Sequence, residues 1–257
     1  RIALQLEQLR SQNDIVKYPQ IYRLRTESSP FDKYRLKLLS GLTKERFLGK
    51  TIDLGCGIGM ATQQYKCRAS NIVLYDKDIF CLKASRNLYS AESLKFNFIC
   101  GEISNLPLKS NLFDTVICLE VLEHIPRELH NKVILEILRI SRKGALIYIS
   151  TPNKVSLPGL EGEIIKVFVS GYKWNGWDST HIYIYTAWEF RNFIKAFPIE
   201  LKNIVGSYFL MGSILVRMPL PVQKFLGFLS FIISKYFGEI FPLRYLGFTT
   251  FIEFKKV

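Results

Sequence analysis

The sequence predicts an α/β fold: a mostly parallel β-sheet with helices on both faces and an antiparallel strand that closes the sheet. Short apolar segments alternate with helix-like patterns along most of the chain, as a parallel sheet requires. The chain has 257 residues, 48% of them hydrophobic, which suffices for one such domain with additions and is too apolar for a disordered chain. A glycine-rich turn directly after the first predicted strand is the third indication.

The first predicted strand ends at Asp53 and leads into a turn with glycine at every second position, Gly55, Gly57 and Gly59. Glycine tolerates positive φ and leaves room for a ligand beside the backbone. A helix predicted from about Met60 would direct its first N–H groups and its partial positive charge at that ligand. The turn therefore predicts a binding site for a nucleotide-like molecule.

The type of ligand follows from what the turn lacks. A dinucleotide-binding turn has glycine three residues after its second glycine, and that position is Met60 here. The carboxylate of Asp53 suits a cationic ligand, whereas it would repel a pyrophosphate. The spacing thus argues against a pyrophosphate ligand, and Asp53 favours a cationic one.

The second predicted strand spans 71–75 and ends at Asp76, 17 residues after Gly59. A carboxylate at about this interval binds ribose hydroxyls in nucleotide-binding βαβ units, so Asp76 is the predicted ribose ligand. Asp78 is predicted to cap the following helix. Because ligands bind at the carboxyl ends of parallel strands, the residues that follow each later strand are candidates as well. Those strands are predicted at 96–100, 113–120 and 142–150, with the closing strand at 249–254.

The Asp-x-Gly-x-Gly-x-Gly turn and the ordered motifs after the later strands resemble the Rossmann-like, class I S-adenosylmethionine-dependent methyltransferases over about residues 45–200. The resemblance implies S-adenosylmethionine as the cofactor. In that family the acidic position after the third strand bonds the adenine amino group and its apolar neighbour covers the ring, which implies these roles for Glu102 and Ile103. The implied cofactor-binding residues are Asp53, Gly55, Cys56, Gly57, Asp76, Lys77, Gly101, Glu102, Ile103, Leu119 and Glu120.

The segment after the fourth strand holds the candidate catalytic residues. In a helical turn Glu120, Glu123 and His124 occupy positions i, i+3 and i+4 and share a face. Two carboxylates and an imidazole suit Mg²⁺, Mn²⁺ or Zn²⁺ as ligands. The segment resembles the Glu-x-x-Glu-His element of the ubiquinone-biosynthesis O-methyltransferases and the small-RNA 2′-O-methyltransferases, in which it coordinates a divalent metal. The resemblance implies His181 as the fourth ligand.

A site without metal is the alternative for the same segment. In that case Glu120 contacts the donor, Glu123 lies near the helix start, and His124 packs against its surroundings or acts as a base. The predicted catalytic residues are His124 and Glu123. His130 lies alone on a polar helix and is predicted to be a surface residue.

The chain divides into a helical extension at the substrate side, residues 1–48, and a methyltransferase domain, residues 49–257. Within that domain, 154–185 is predicted to form an aromatic lid and 207–247 an apolar insertion before the closing strand. The net charge of +13 lies mostly on the flanks of the nucleotide-binding core. Basic flanks suit nucleic acid, an anionic membrane or an acidic substrate.

The apolar insertion discriminates among these partners. Its segment 225–234 lies between Lys224 and Lys235 and is too short to cross a bilayer, which needs about 20 apolar residues. We expect it to lie in the membrane interface, with these two lysines, Arg217 and Arg244 near lipid headgroups. A lid helix that completes the core, or a dimer contact, is the alternative.

These observations predict an S-adenosylmethionine-dependent methyltransferase that methylates an oxygen of a lipid-linked or apolar acceptor at a membrane surface. An RNA methyltransferase is the alternative suggested by the basic flanks, and a donor-binding scaffold without catalysis is a third. The five cysteines include no Cys-x-x-Cys pair and indicate a reducing compartment. The predicted location is therefore the cytoplasm, with peripheral contact to the cytoplasmic membrane face through residues 208–247.

Overall fold

The computed structural model describes residues 37–41, 43, 46–156, 159–160, 180–210 and 219–257. Most of the predicted N-terminal extension and aromatic lid lies outside these residues, as does Arg217. The described residues form a seven-stranded sheet in the order β3-β2-β1-β4-β5-β7-β6. The strands are β1 (Gly49–Leu54), β2 (Ala69–Asp76), β3 (Phe96–Cys100), β4 (Phe113–Leu119), β5 (Ser141–Pro152), β6 (Ile199–Ser207) and β7 (Thr249–Lys256).

The predicted fold class is confirmed. Strands β1 to β5 run parallel to one another, and β7 pairs antiparallel with both β5 and β6. The closing strand therefore lies between two others rather than at the edge of the sheet. Four α-helices are described from end to end: α1 (Ile79–Leu88), α2 (His130–Ile140), α3 (Ala187–Lys195) and α4 (Leu220–Phe237).

Each face of the sheet carries its own hydrophobic core, because successive strand residues point to opposite faces. On one face, Val73 and Ile147 pack in the same cluster as Ile137 of α2 and Phe190 of α3. On the other face, Leu74 packs in a cluster that includes Leu82 of α1, which is 3% exposed. Helices thus cover both faces of the sheet, and the carboxyl ends of the parallel strands remain available for a binding site.

The helix predicted from about Met60 does not form. Two short 3₁₀ turns, Thr62–Gln64 and Lys66–Arg68, occupy that stretch instead. The Thr62 hydroxyl and the Tyr65 hydroxyl both donate to the Asp53 carboxylate, at 2.6 and 2.5 Å, so side-chain bonds to the end of β1 hold the segment. No run of helical N–H groups is therefore available at the glycine turn.

Helix α4 occupies the predicted apolar insertion between β6 and β7. It starts at Leu220, Pro221 in its first turn is compatible with a helix start, and Gly238 follows its last residue. No helix within the described ranges is both long and apolar enough to cross a bilayer. The 12 residues between β3 and β4 contain no helix, and β3 is the last strand of the sheet on that side among the described residues.

Candidate functional site

A cavity of about 460 Å³ opens at the carboxyl ends of β1 to β4. Its position matches the general rule for ligand sites in parallel sheets. Eight residues that the sequence predicted as site residues line it: Gly55, Asp76, Lys77, Gly101, Glu102, Ile103, Glu120 and His124.

The glycine turn approaches this cavity in a conformation that other residues would strain. Gly55 and Gly57 have φ values of +69° and +53°. A Cβ atom on Gly55 would also collide with the side chain of Val121. The Gly57 N–H donates to the Asp76 carboxylate at 2.8 Å, so the turn and the end of β2 hold each other in place.

Asp76, the predicted ribose ligand, lines the cavity at the end of β2. One carboxylate oxygen accepts from Gly57 N–H and the other from Asp78 N–H, each at 2.8 Å. Burial raises the pKa of Asp76, and these backbone hydrogen bonds oppose that rise. Asp78 caps α1 as predicted, because its side chain accepts from Phe80 N–H.

The far end of the cavity is shaped by Tyr75. Its hydroxyl donates to the Glu102 carbonyl at 3.1 Å, and a Cβ atom on Gly101 would collide with that hydroxyl. Ile103 is 7% exposed and presents an apolar surface to the cavity. This end can hold a planar, partly apolar group such as an adenine ring.

Four predicted cofactor-binding residues are not among those that line the cavity: Asp53, Cys56, Gly57 and Leu119. Asp53 is 3% exposed and lies beneath the turn, where Thr62 and Tyr65 donate to it. Burial raises the pKa of Asp53 to about 6, and these two hydrogen bonds oppose the rise. Cys56 and Leu119 pack in or against the hydrophobic core. In this structure Asp53 supports the turn from below rather than facing the cavity.

The predicted helical turn over 120–124 is wrong. Glu120 has a φ of +55°, so the chain reverses there, and only Leu122–His124 form a 3₁₀ turn. The Ser150 hydroxyl donates to the Glu120 carboxylate at 2.7 Å, which ties it to the end of β5. Glu120 consequently lines the cavity but does not join Glu123 and His124 in one cluster.

Glu123, His124 and His181 form a cluster next to the cavity, which we call the catalytic cluster. Each offers a ligand atom, and these atoms all lie within 4.8 Å of one another. The ring centroids of His124 and His181 are 4.9 Å apart, and Glu123 is 1% exposed. A buried carboxylate and two imidazoles are a donor set that fits Zn²⁺ or Mn²⁺ by ligand type.

Backbone hydrogen bonds assemble the cluster from two distant segments. The N–H groups of Ile182 and Tyr183 both donate to the Glu123 carbonyl, at 2.7 and 3.2 Å. The Thr180 hydroxyl lies 3.0 Å from Nδ1 of His124. Segment 180–183 is thereby fixed to the loop after β4, which places His181 beside His124.

His130 is buried, which corrects the prediction that it lies on the surface. Its Nδ1 is 2.8 Å from the Tyr185 hydroxyl and its Nε2 is 2.9 Å from the Ile125 carbonyl. These partners assign the proton to Nε2, so that Nδ1 accepts from Tyr185, and burial lowers the pKa of His130. The neutral ring supports the loop that carries the catalytic cluster.

Comparison with known proteins identifies the family. A family model described as a methyltransferase domain matches residues 52–149, from β1 into β5. An uncharacterized protein of Methanocaldococcus jannaschii is 34% identical over 201 residues, which cover 77% of this chain and 75% of that one. The chain belongs to the class I S-adenosylmethionine-dependent methyltransferases.

Two further matches agree with this assignment. A ubiquinone biosynthesis O-methyltransferase of Rickettsia canadensis is 26% identical over 167 residues, covering 63% of this methyltransferase and 67% of the relative. The crystal structure of the N-methyltransferase NodS from Bradyrhizobium japonicum, solved with S-adenosyl-L-homocysteine, superposes with a TM-score of 0.59 at 11% identity. That superposition covers 90% of each chain and shows the shared fold.

Membership of this family implies S-adenosylmethionine as the methyl donor, and the cavity lies at the carboxyl ends of the strands, where parallel sheets bind their ligands. Sequence reasoning missed five of its lining residues: Tyr75, Val121, Ile125, Thr180 and Ile182. None belongs to a glycine or acidic motif, so no local signal marks it. Thr180 and Ile182 are the sequence neighbours of the predicted His181, and this proximity is the one indication in the sequence that they belong to the site.

Proposed function

We propose that this methyltransferase transfers a methyl group to an oxygen of an apolar, lipid-linked acceptor at a membrane surface. The observation that carries the proposal is the catalytic cluster beside the donor cavity. An acceptor oxygen attacks the methyl carbon in line, the carbon–sulfur bond breaks, and its electron pair remains on sulfur. The hydroxyl proton must leave the acceptor during this step, and the cluster provides groups that can promote its loss or accept it.

The cluster can act in two ways. Glu123, His124 and His181 would hold a divalent cation, and such an ion would lower the pKa of an acceptor hydroxyl. In the absence of an ion, His124, which lines the cavity, accepts the proton itself. A chelator separates the two modes, because it stops only the first.

The acceptor side of the cavity favours an apolar molecule. Val121, Ile125 and Ile182 line the cavity near His124. Ile182 is 61% exposed, so it offers uncovered apolar surface at this edge. Apolar side chains beside a few polar groups are typical of sites that bind hydrophobic small molecules.

Helix α4 supports the membrane part of the proposal, because its large apolar residues face outward and mostly small residues face the protein. The residues that face the protein are mostly small: Gly227, Ser230 and Ser234, together with Phe231. In a solvated surface helix the apolar residues face the core instead. The outward side carries large apolar residues that are 36–64% exposed, namely Leu220, Val222, Phe225, Phe228, Leu229, Tyr236 and Phe237.

The apolar surface continues beyond α4 and is flanked by cations. Phe241 is 68% exposed, and its ring lies 6.3 Å from that of Tyr245. Trp188, which is 55% exposed, lies 5.5 Å from the same tyrosine ring. With the exposed Lys224 and Lys235 on α4, this arrangement suits a helix lying in the interface of an anionic membrane.

Vesicle binding tests the membrane contact. Phe225→Ser combined with Phe228→Ser should weaken co-sedimentation with phosphatidylglycerol-containing vesicles at least about tenfold, since burial of each ring contributes about 1.5–3 kcal/mol. Leu135→Ser is the matched control, because Leu135 on α2 is 55% exposed and lies on another helix. Equal loss of binding in both proteins, or no loss in either, would reject this surface.

Transfer of labelled methyl groups into fractionated extract tests the acceptor class. Label should enter the lipid fraction, and Glu123→Gln should abolish it while Glu128→Gln, an exposed acid of the next turn, leaves it intact. Entry into RNA would instead support the RNA methyltransferase, which the net charge of +13 favours. That alternative also requires RNA binding that weakens steeply with salt. Binding of the donor without any transfer would indicate a scaffold.

A further inference from the structure

A second groove of about 560 Å³ lies at the opposite end of the sheet from the donor cavity. It is formed at the starts of three strands, where Lys50, Asn71 and Lys95 line it. Its floor is apolar and includes Phe98, Ile99 and Leu112. Since it faces away from the carboxyl ends of the strands, the groove lies far from the methyl donor and plays no part in binding the acceptor.

One wall of the groove is β3, whose outer edge pairs with no other strand among the described residues. This strand is the last in the sheet order and pairs with β2. Ile72 N–H donates to the Lys95 carbonyl, and Gly101 N–H donates to the Asp76 carbonyl. Because alternate residues of a parallel strand bond the same neighbour, the peptide groups of Phe96, Phe98 and Cys100 point away from the sheet.

The connection that follows β3 adds no strand to this edge. Residues 101–112 contain no helix, and Leu108 and Leu112 form part of the groove instead. The apolar side chains of β3 are each only partly buried. An edge strand with an unpaired outer side and apolar neighbours is a template for pairing with another extended chain.

The charge of the groove is uniformly positive. Lys50, Arg86 and Lys95 line it, and no carboxylate is found among its described lining residues. The Arg86 guanidinium lies 5.4 Å from the ring centroid of Phe98, and Lys50 Nζ lies 5.5 Å from that of Phe113. Both charged groups therefore lie within cation–π distance of aromatic rings of the groove.

We propose that this groove docks an extended acidic segment of a protein partner, which adds to β3 as a further strand. The outward peptide groups of β3 require a chain with its own N–H and C=O groups in the extended conformation. The three cations select carboxylates on that chain, and the apolar floor takes alternate apolar side chains. A lipid or a nucleic acid lacks the peptide groups that would complete the ladder.

The inference goes beyond the proposed function and does not depend on it. It assigns a partner surface at the end of the sheet remote from catalysis, and its test measures binding rather than methyl transfer. Failure of the acceptor assignment would leave it unchanged.

A peptide-binding assay with the whole protein tests the proposal. The probe is a fluorescein-labelled octapeptide of alternating valine and glutamate. Its binding is measured by fluorescence anisotropy. Two matched probes replace glutamate by lysine, or replace the two central valines by proline, which removes the N–H donors. The glutamate peptide should bind saturably, and both matched probes should bind at least about tenfold more weakly.

Protein variants and hydrogen exchange locate the peptide-binding site. Lys95→Glu and Arg86→Glu should each weaken the glutamate peptide about tenfold, whereas Lys132→Glu, an exposed position on α2, should not. The bound peptide should also slow amide exchange at Phe96 and Phe98. The proposal is overturned if the glutamate peptide does not bind, if the proline peptide binds equally well, or if exchange in β3 is unaffected.

Discussion

Asp53 is expected to make the fold lose stability as the pH rises from about 4 to about 6. Its carboxyl group is fully buried beneath the glycine turn, and burial raises its pKa from the ordinary 3.8 to about 6. Below pH 3.8 the group is protonated in both the folded and the unfolded chain, so the folded state carries no penalty. As the pH rises from 3.8 to about 6, the carboxyl group ionises in the unfolded chain but stays protonated in the folded one, so folding becomes less favourable.

The magnitude follows from the two pKa values. A difference between 3.8 and about 6 corresponds to roughly 3 kcal/mol of unfolding free energy, lost by pH 7. Asp53→Asn keeps the shape and an acceptor for Thr62 and Tyr65 but does not titrate. The stability of Asp53→Asn relative to the wild type should therefore increase by about 3 kcal/mol between pH 4 and pH 7.

Urea denaturation of both proteins at a series of pH values measures this difference, and the comparison at each pH cancels the other titrating groups. Tyr65→Phe gives a second check. Its hydroxyl donates to the Asp53 carboxylate and lowers its pKa, so removal of the hydroxyl should move the loss of stability to higher pH. A relative stability of the Asn variant that stays constant from pH 4 to pH 7 would refute the assigned titration.

Three further substitutions probe the site. Gly55→Ala should weaken S-adenosylmethionine binding in calorimetry at least about tenfold, because φ is +69° and the new methyl group collides with Val121; unchanged affinity would contradict the assigned turn. Tyr185→Phe leaves buried Nδ1 of His130 without its donor and should cost about 1–3 kcal/mol in thermal denaturation; an unaltered melting temperature would speak against the assigned pair. Glu123→Gln should suppress methyl transfer without altering donor affinity, and parallel loss of both would place Glu123 in the donor site.

The parts of the fold that could be predicted from sequence depend on local patterns. The glycine turn after Asp53 requires positive φ values, and the apolar runs before Asp76 and Gly101 have strand length. Such signals lie within a few residues of the structure they determine. They suffice to order the parallel strands and to place most predicted donor residues at one edge of the sheet.

The parts that were missed depend on distant partners. Asp53 binds Thr62 and Tyr65, and these bonds replace the expected helix with 3₁₀ turns. Glu120 adopts a positive φ while its carboxylate is held by Ser150, 30 residues further on. His130 is buried because Tyr185, 55 residues away in sequence, supplies a hydroxyl for its ring. Periodicity carries no information about such pairs.

The direct pairing of β6 with β7 has a consequence for how this enzyme can diversify. The two strands contact each other along Ile199–Ser207, and α4 lies between them in sequence without belonging to the sheet. The stretch from one strand to the other can therefore be exchanged between homologues while the strand order and the donor cavity are retained, because loop length adds little entropic cost. Natural variation in membrane or acceptor preference is expected to concentrate in this interchangeable segment.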